Sequence, residues 1–168
     1  SEAHMDAMAA MTALLAKVRD AGVEVSFGSP VARVAGDRLI DCRGIAAASD
    51  VQGLRGVRGE RIVVAARDVR LSRPVRLLHP RQPIYVVPQG DGRYVIGATV
   101  IEREDMGHVT VRSALELLGS AFALHPGFAE ADIIDMGAGV RPAFADNTPR
   151  ILIEAGGEAI AGPFDGEE

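Results

Sequence analysis

The chain has 168 residues, of which 48% are hydrophobic, with a formal net charge of −5, one cysteine and no tryptophan. This length suffices for one ordinary domain with its own core, filled here mainly by aliphatic side chains. No apolar run reaches the ~20 residues of a membrane helix, and a lone Cys42 excludes an intrachain disulfide, fits a cytoplasmic setting and offers no metal site.

In chain order, Ser1 to Met5 lacks the basic and apolar stretches of a secretory signal and reads as a cloning scar. Asp6 then caps a helix in which Met8, Met11, Leu15 and Val18 recur near the 3.6-residue period, and Gly22 stops it. Short strands are expected at Val23 to Phe27, Val31 to Val34 and Arg38 to Cys42, divided by Gly28-Ser29-Pro30 and Gly36-Asp37. Gly44 to Gly59 is poor in strand signal and reads as a connector. Further strands follow at Arg61 to Ala66 and Val75 to His79. Ile84 to Val87 and Tyr94 to Ile96 form a hairpin with a longer loop, Pro88 to Arg93. Thr110 opens a second helix through about Leu124, with Leu115, Leu118 and Phe122 as its apolar stripe and His125-Pro126-Gly127 as its stop. Ala131 to Val140 is a last long strand, Arg141 to Pro149 a Pro-containing loop, and Ile151 to Ile153 a short strand. Gly156 to Glu168 reads as frayed. Runs of strands with separated helices indicate an α+β fold, a mostly antiparallel mixed sheet with helices on one face.

Charge is uneven. Arg55, Arg58, Arg61, Arg67, Arg70, Arg73, Arg76 and Arg81 crowd the middle, opposed only by Glu60 and Asp68, while acids dominate the end. The arginines alternate with apolar residues, so the run reads as a solvated strand face or as a patch for an acidic partner. Without interleaved aromatics to stack on bases, nucleic-acid binding is disfavoured. No strand runs into G-x-G-x-x-G at a helix start. The clusters Gly53–Gly59 and Gly137–Gly139 read as turns or tight packing, and His79, His108 and His125 as structural or exposed.

Four strings carry a resemblance. Ile84-Tyr85-Val86-Val87-Pro88 leads to Asp91-Gly92-Arg93-Tyr94-Val95-Ile96-Gly97-Ala98-Thr99; Ala138-Gly139-Val140-Arg141-Pro142 precedes Asp146-Asn147-Thr148-Pro149; Val57-Arg58-Gly59-Glu60 and Asp41-Cys42-Arg43-Gly44 lie upstream. In this order they resemble the glycine oxidase and D-amino-acid oxidase family of FAD-dependent oxidoreductases, most nearly its thiamine-biosynthesis glycine oxidases. The likeness runs from about Met8 to Ile151.

The resemblance implies roles. Arg141 would bind a substrate carboxylate through a two-pronged contact; its other reading is a surface or ion-paired arginine. Tyr85 would offer its hydroxyl to the same carboxylate, or be a core tyrosine with a satisfied hydroxyl. Val100 would set pocket size or simply pack. Val31 would touch FAD through its backbone. In the family, a Cα hydride passes to the flavin, the imino acid hydrolyses and oxygen regenerates the flavin with release of peroxide. Positioning and the cofactor supply the catalysis, so no catalytic acid or base is named.

The chain departs from the family in lacking the glycine-rich amino-terminal unit, in not matching beyond Ile151, and in carrying Gln89 where arginine is usual. The expected division is 1–5 scar, 6–55 remnant of the flavin domain, 56–153 substrate-binding domain and 154–168 acidic flexible tail. The expected function is the substrate-binding portion of an oxidase that deaminates glycine, a small amine or a D-amino acid. As an isolated piece it is expected to be inactive and to hold no FAD tightly. The alternative is a non-catalytic module that self-associates or docks a separate flavin-binding polypeptide; nucleic acid and membrane are not expected partners.

Overall fold

A computed structural model describes residues 3–29, 39–81, 83–155 and 158–163. Helix α1, Ala7–Asp20, starts where the Asp6 carboxylate accepts a hydrogen bond from the Ala9 N–H at 3.0 Å. Lys17 and Arg19 complement the dipole of its last turn, and Gly22 leaves it at a φ of 78°. None of its residues is buried: in the expected stripe Met8, Met11 and Val18 are exposed and Leu15 is half-buried. The strand expected at 23–27 does not form, and neither does the one expected at 38–42 over its described residues 39–42. Alternating side chains alone do not make a strand; a neighbouring ladder must satisfy the backbone, and none lies beside these segments among the described residues. The expected strand at 31–34 lies outside the described residues.

The supposed connector is partly strand. After a 3-10 turn at Gly44–Ala47, β1 runs over Arg55–Ala65, straight through Gly56 and Gly59. Its partners are β2 (Val75–Leu77), β3 (Ile84–Gly90), β4 (Arg93–Gly97) and β5 (Asp132–Ala143), in the order β2-β3-β4-β1-β5, antiparallel throughout. The β3–β4 hairpin is tighter than expected. Asp91 and Gly92, at φ 51° and 70°, form a two-residue turn of the kind that favours a positive φ at both positions. Pro88 stays within β3 because a bulge between Pro88 and Gly90 relieves the ladder there.

Helix α2, Val111–Leu124, covers one face of this sheet. Its Leu117 and Ala121 join Ile62, Val64, Val86, Ile96 and Phe128 in the core, and the Tyr94 hydroxyl donates to the Val69 carbonyl at 2.7 Å. The expected stripe is partly rotated: Leu118 packs against the core, but Leu115 and Phe122 are 70% and 54% exposed, while Ser113, Leu117, Ser120 and Ala121 face inward. Small residues let α2 lie close on the sheet, so the buried face is not the most hydrophobic one. β5 extends past Val140 to Ala143, which puts Arg141 inside a strand and not at the start of a loop. The short strand expected at 151–153 is present as β6 (Arg150–Ala155), and it pairs with β7 (Glu158–Pro163), which falls in the stretch expected to be frayed. Backbone pairing satisfies amide groups whatever the side chains, which is why Gly, Ala and acids concealed a hairpin.

Candidate functional site

The two faces of the five-stranded sheet carry different chemistry. On an antiparallel sheet, paired residues share a face and alternate residues return to it. Tyr85 pairs with Gly97, Gly97 with Arg61, and Arg61 with Gly137, forming one row across four strands. Two residues along, Gly59 pairs with Gly139, and two further, Val57 with Arg141. All of these lie on the face away from α2. The register thus brings together Tyr85 and Arg141, the two residues expected to read a carboxylate.

Both lean over glycines. A Cβ at Gly97 would fall 3.0 Å from the Tyr85 hydroxyl oxygen, and one at Gly59 would fall 2.5 Å from Nη2 of Arg141. Any larger residue at either position would displace the polar tip above it. From strand spacing and rise the two tips overlie points roughly 8 Å apart, a gap that a small amino acid can bridge. Arg141 is exposed and Tyr85 half-buried. Among the described residues neither the guanidinium nor the hydroxyl has a hydrogen-bond partner. Tyr94 contrasts: it is the buried tyrosine, and its hydroxyl is taken.

Val100 is 71% exposed. It precedes Ile101, which bridges to Arg58, so alternation sets Val100 beside Gly59 at the rim of the same face. Gln89, half-buried in β3, donates to the Pro88 carbonyl at 3.4 Å. Val31 lies outside the described residues.

The helix-covered face holds the arginine that sequence reasoning misjudged. Arg58, expected on a solvated face or in an exposed patch, is 2% exposed, and Glu60 is fully buried beside it. Arg58 Nε donates to Glu60 Oε1 at 2.8 Å. Its Nη1 donates to the Asp105 carbonyl and carboxylate at 2.5 and 2.7 Å, and its Nη2 to the Gly107 and His108 carbonyls, both at 2.7 Å. Glu60 Oε2 accepts from the Thr110 N–H and hydroxyl, each at 3.3 Å, at the start of α2. Burial pushes the Glu60 carboxyl up, but hydrogen bonds from Ser113, Arg58 and Thr110 outweigh it, leaving the group below its ordinary range. The signal available in sequence was the alternation Arg58, Glu60, Ile62, Val64, opposite charges leading into an apolar strand face.

The described residues do not fit the phosphate end of FAD. A pyrophosphate favours an open helix N-terminus, yet α1 begins on the Asp6 carboxylate and α2 on that of Glu60. Either would repel the diphosphate. Among the described residues no group of three or more His, Cys, Asp or Glu could hold a metal ion, and no helix is long and apolar enough to cross a membrane.

Comparison with known proteins shows the family and the fold. The model of the FAD dependent oxidoreductase family matches residues 1–157. A putative thiamine biosynthesis oxidoreductase, ThiO, from Rhizobium etli is 50% identical over 154 residues, 91% of this chain and 47% of the relative. The chain therefore spans about half the length of the curated relative it matches. Among solved structures, iminodiacetate oxidase from Chelativorans sp. BNC1 is 28% identical with a TM-score of 0.60, covering 76% of this chain and 37% of that one. Glycine oxidase from Geobacillus kaustophilus is 26% identical with a TM-score of 0.57, covering 70% and 33%. The chain belongs to the family of FAD-dependent oxidoreductases, and its fold is that of the glycine oxidase and D-amino-acid oxidase kind.

Proposed function

We propose that, within this family, the chain is the substrate-binding portion of an oxidase acting on the C–N bond of a small amino acid or amine, with Arg141 and Tyr85 holding the substrate carboxylate. The observation carrying this reading is the pair of polar tips, guanidinium and hydroxyl, unpartnered among the described residues, over Gly59 and Gly97 on the face that α2 leaves open. Glycine and iminodiacetate, named for the structural relatives, are both amino acids with a free carboxylate. Arg141 supplies charge and a fork of donors, Tyr85 one further hydrogen bond, and the glycine floor a close approach. Oxidation is the work of the flavin, whose phosphates would be held by polypeptide other than the described residues. On this division residues 56–153 form the substrate-binding domain and 6–55 a piece of the flavin domain.

The test is steady-state kinetics of the FAD-loaded enzyme that contains this sequence. Arg141→Ala should raise KM for carboxylate substrates by about ten- to a hundredfold, the range of a lost charged hydrogen bond. An unchanged KM sinks the assignment.

The uncovered stripe of α1, with Met8 77% and Met11 64% exposed, supports a second element of the reading: this segment packs against further flavin-binding polypeptide, in the same chain or a separate subunit. Mixing the isolated chain with FAD and desalting should leave no stoichiometric flavin absorbance. Retained flavin would overturn this part.

A further inference from the structure

The open face carries a third polar tip that the proposed reaction does not use. Arg61 stands in the same row as Tyr85, with only Gly97 between them, and on the same face as Arg141. Its guanidinium lies over Gly137, where a Cβ would fall 3.3 Å from Cζ and Nη2. The three tips therefore sit above three glycines on three strands: Tyr85 over Gly97, Arg141 over Gly59 and Arg61 over Gly137. By strand spacing and rise, Gly59 and Gly137 are roughly 8 Å apart, so two guanidinium groups look onto one shallow floor from its two sides.

Among the described residues Arg61 makes one ion pair, Nη1 to Asp135 Oδ2 at 3.0 Å, with side chains 47% and 53% exposed. Such an exposed pair holds its members weakly, and four of the five guanidinium N–H groups are left over. Its neighbours on β1 differ. Arg58 spends its donors on protein groups, and Arg55 is engaged by Glu102 and by Asn147 at 2.9 Å. A floor of glycine with cations on both sides suits a ligand with two carboxylates a few bonds apart better than one with a single carboxylate.

We propose that Arg61 is a specificity-determining residue that binds a second carboxylate, so that the site takes a dicarboxylic amino or imino acid. Arg141 and Tyr85 hold one carboxylate, and Arg61, exchanging Asp135 for the ligand, holds the other. This rests on the substrate-site reading above.

Sarcosine and iminodiacetate differ only by the second carboxylate and make the natural pair of probes. The FAD-loaded enzyme should show a KM for iminodiacetate about tenfold below that for sarcosine. Arg61→Met, which keeps the apolar stem, should remove that preference while changing sarcosine KM less than about twofold. As a readout without turnover, malonate and acetate can be titrated against the flavin absorbance. Arg61→Met should weaken malonate about tenfold and leave acetate alone, and Asp135→Asn should tighten malonate. If sarcosine is oxidised and Arg141→Ala raises its KM, but iminodiacetate is not preferred or Arg61→Met shifts both probes equally, the dicarboxylate proposal fails and the substrate site stands. If neither amine is oxidised and neither anion binds, both fall together.

Discussion

Arg58 and Arg141 lie on directly paired strands, on opposite faces of one sheet, and they have opposite fates. Arg58 is buried against the loop that leads into α2, with its donors matched to Glu60, Asp105, Gly107 and His108. Arg141 lies over bare glycine, with no protein group among the described residues to answer it. A buried ion whose donors are all satisfied is architecture, because removing it strands charge in a low-dielectric interior. An exposed ion above a floor too flat to satisfy it has donors to spare for a ligand. The difference lies in what surrounds each guanidinium, since the residue type is the same.

The contrast can be broken by experiment. Arg58→Ala should have the largest effect: it leaves the Glu60 carboxylate unpaired and should cost about 3–5 kcal/mol of folding stability, read from denaturant unfolding. A loss below about 1 kcal/mol would show that the buried pair is not structural. Arg141→Ala should alter stability by no more than about 0.5 kcal/mol while producing the KM rise given above; a large drop in melting temperature would move it to the architectural side.

Gly59→Ala sharpens the comparison at the boundary. The added methyl meets the far end of the flexible Arg141 side chain, so the guanidinium should shift with little loss of stability and KM should rise about tenfold. An unaltered KM would mean that Arg141 need not rest on this floor. The smallest effect near neutral pH concerns Glu60. Its folded carboxyl lies below the ordinary 4.5, so the ionised form is favoured by folding. That contribution is complete above about 4.5 and is lost as pH falls through the folded value. Stability should decline below that pH, and Glu60→Gln should flatten the decline; a variant with the wild-type acid profile would remove Glu60 from the explanation.

The sequence made both helices and their caps legible, because Asp6 and Thr110 are capping residues directly ahead of helical segments. The antiparallel α+β class was legible from alternating strands with turn signals. The rotation of α2 was not, since Leu115 and Phe122 outrank Ser113 and Ser120 in hydrophobicity while close packing prefers the smaller residues. Tyr85 and Arg141 were found through the strings around them, and no local pattern shows that they share a face. Arg61 was invisible as a site residue for the same reason: its neighbours Gly97 and Gly137 are remote in sequence and become adjacent only through strand register.

The Arg58 contacts also bear on how freely the 102–109 loop can diverge. Four of its bonds reach that loop, three of them to main-chain carbonyls at Asp105, Gly107 and His108 and only one to a side chain. A carbonyl is common to every amino acid, so Met106 and His108 can drift without untying the loop while position 58 cannot. A saturation library scored for folding should tolerate broad variation at 106 and 108 and almost none at 58. The loop's shape would then be inherited through a residue on a distant strand and not through its own letters.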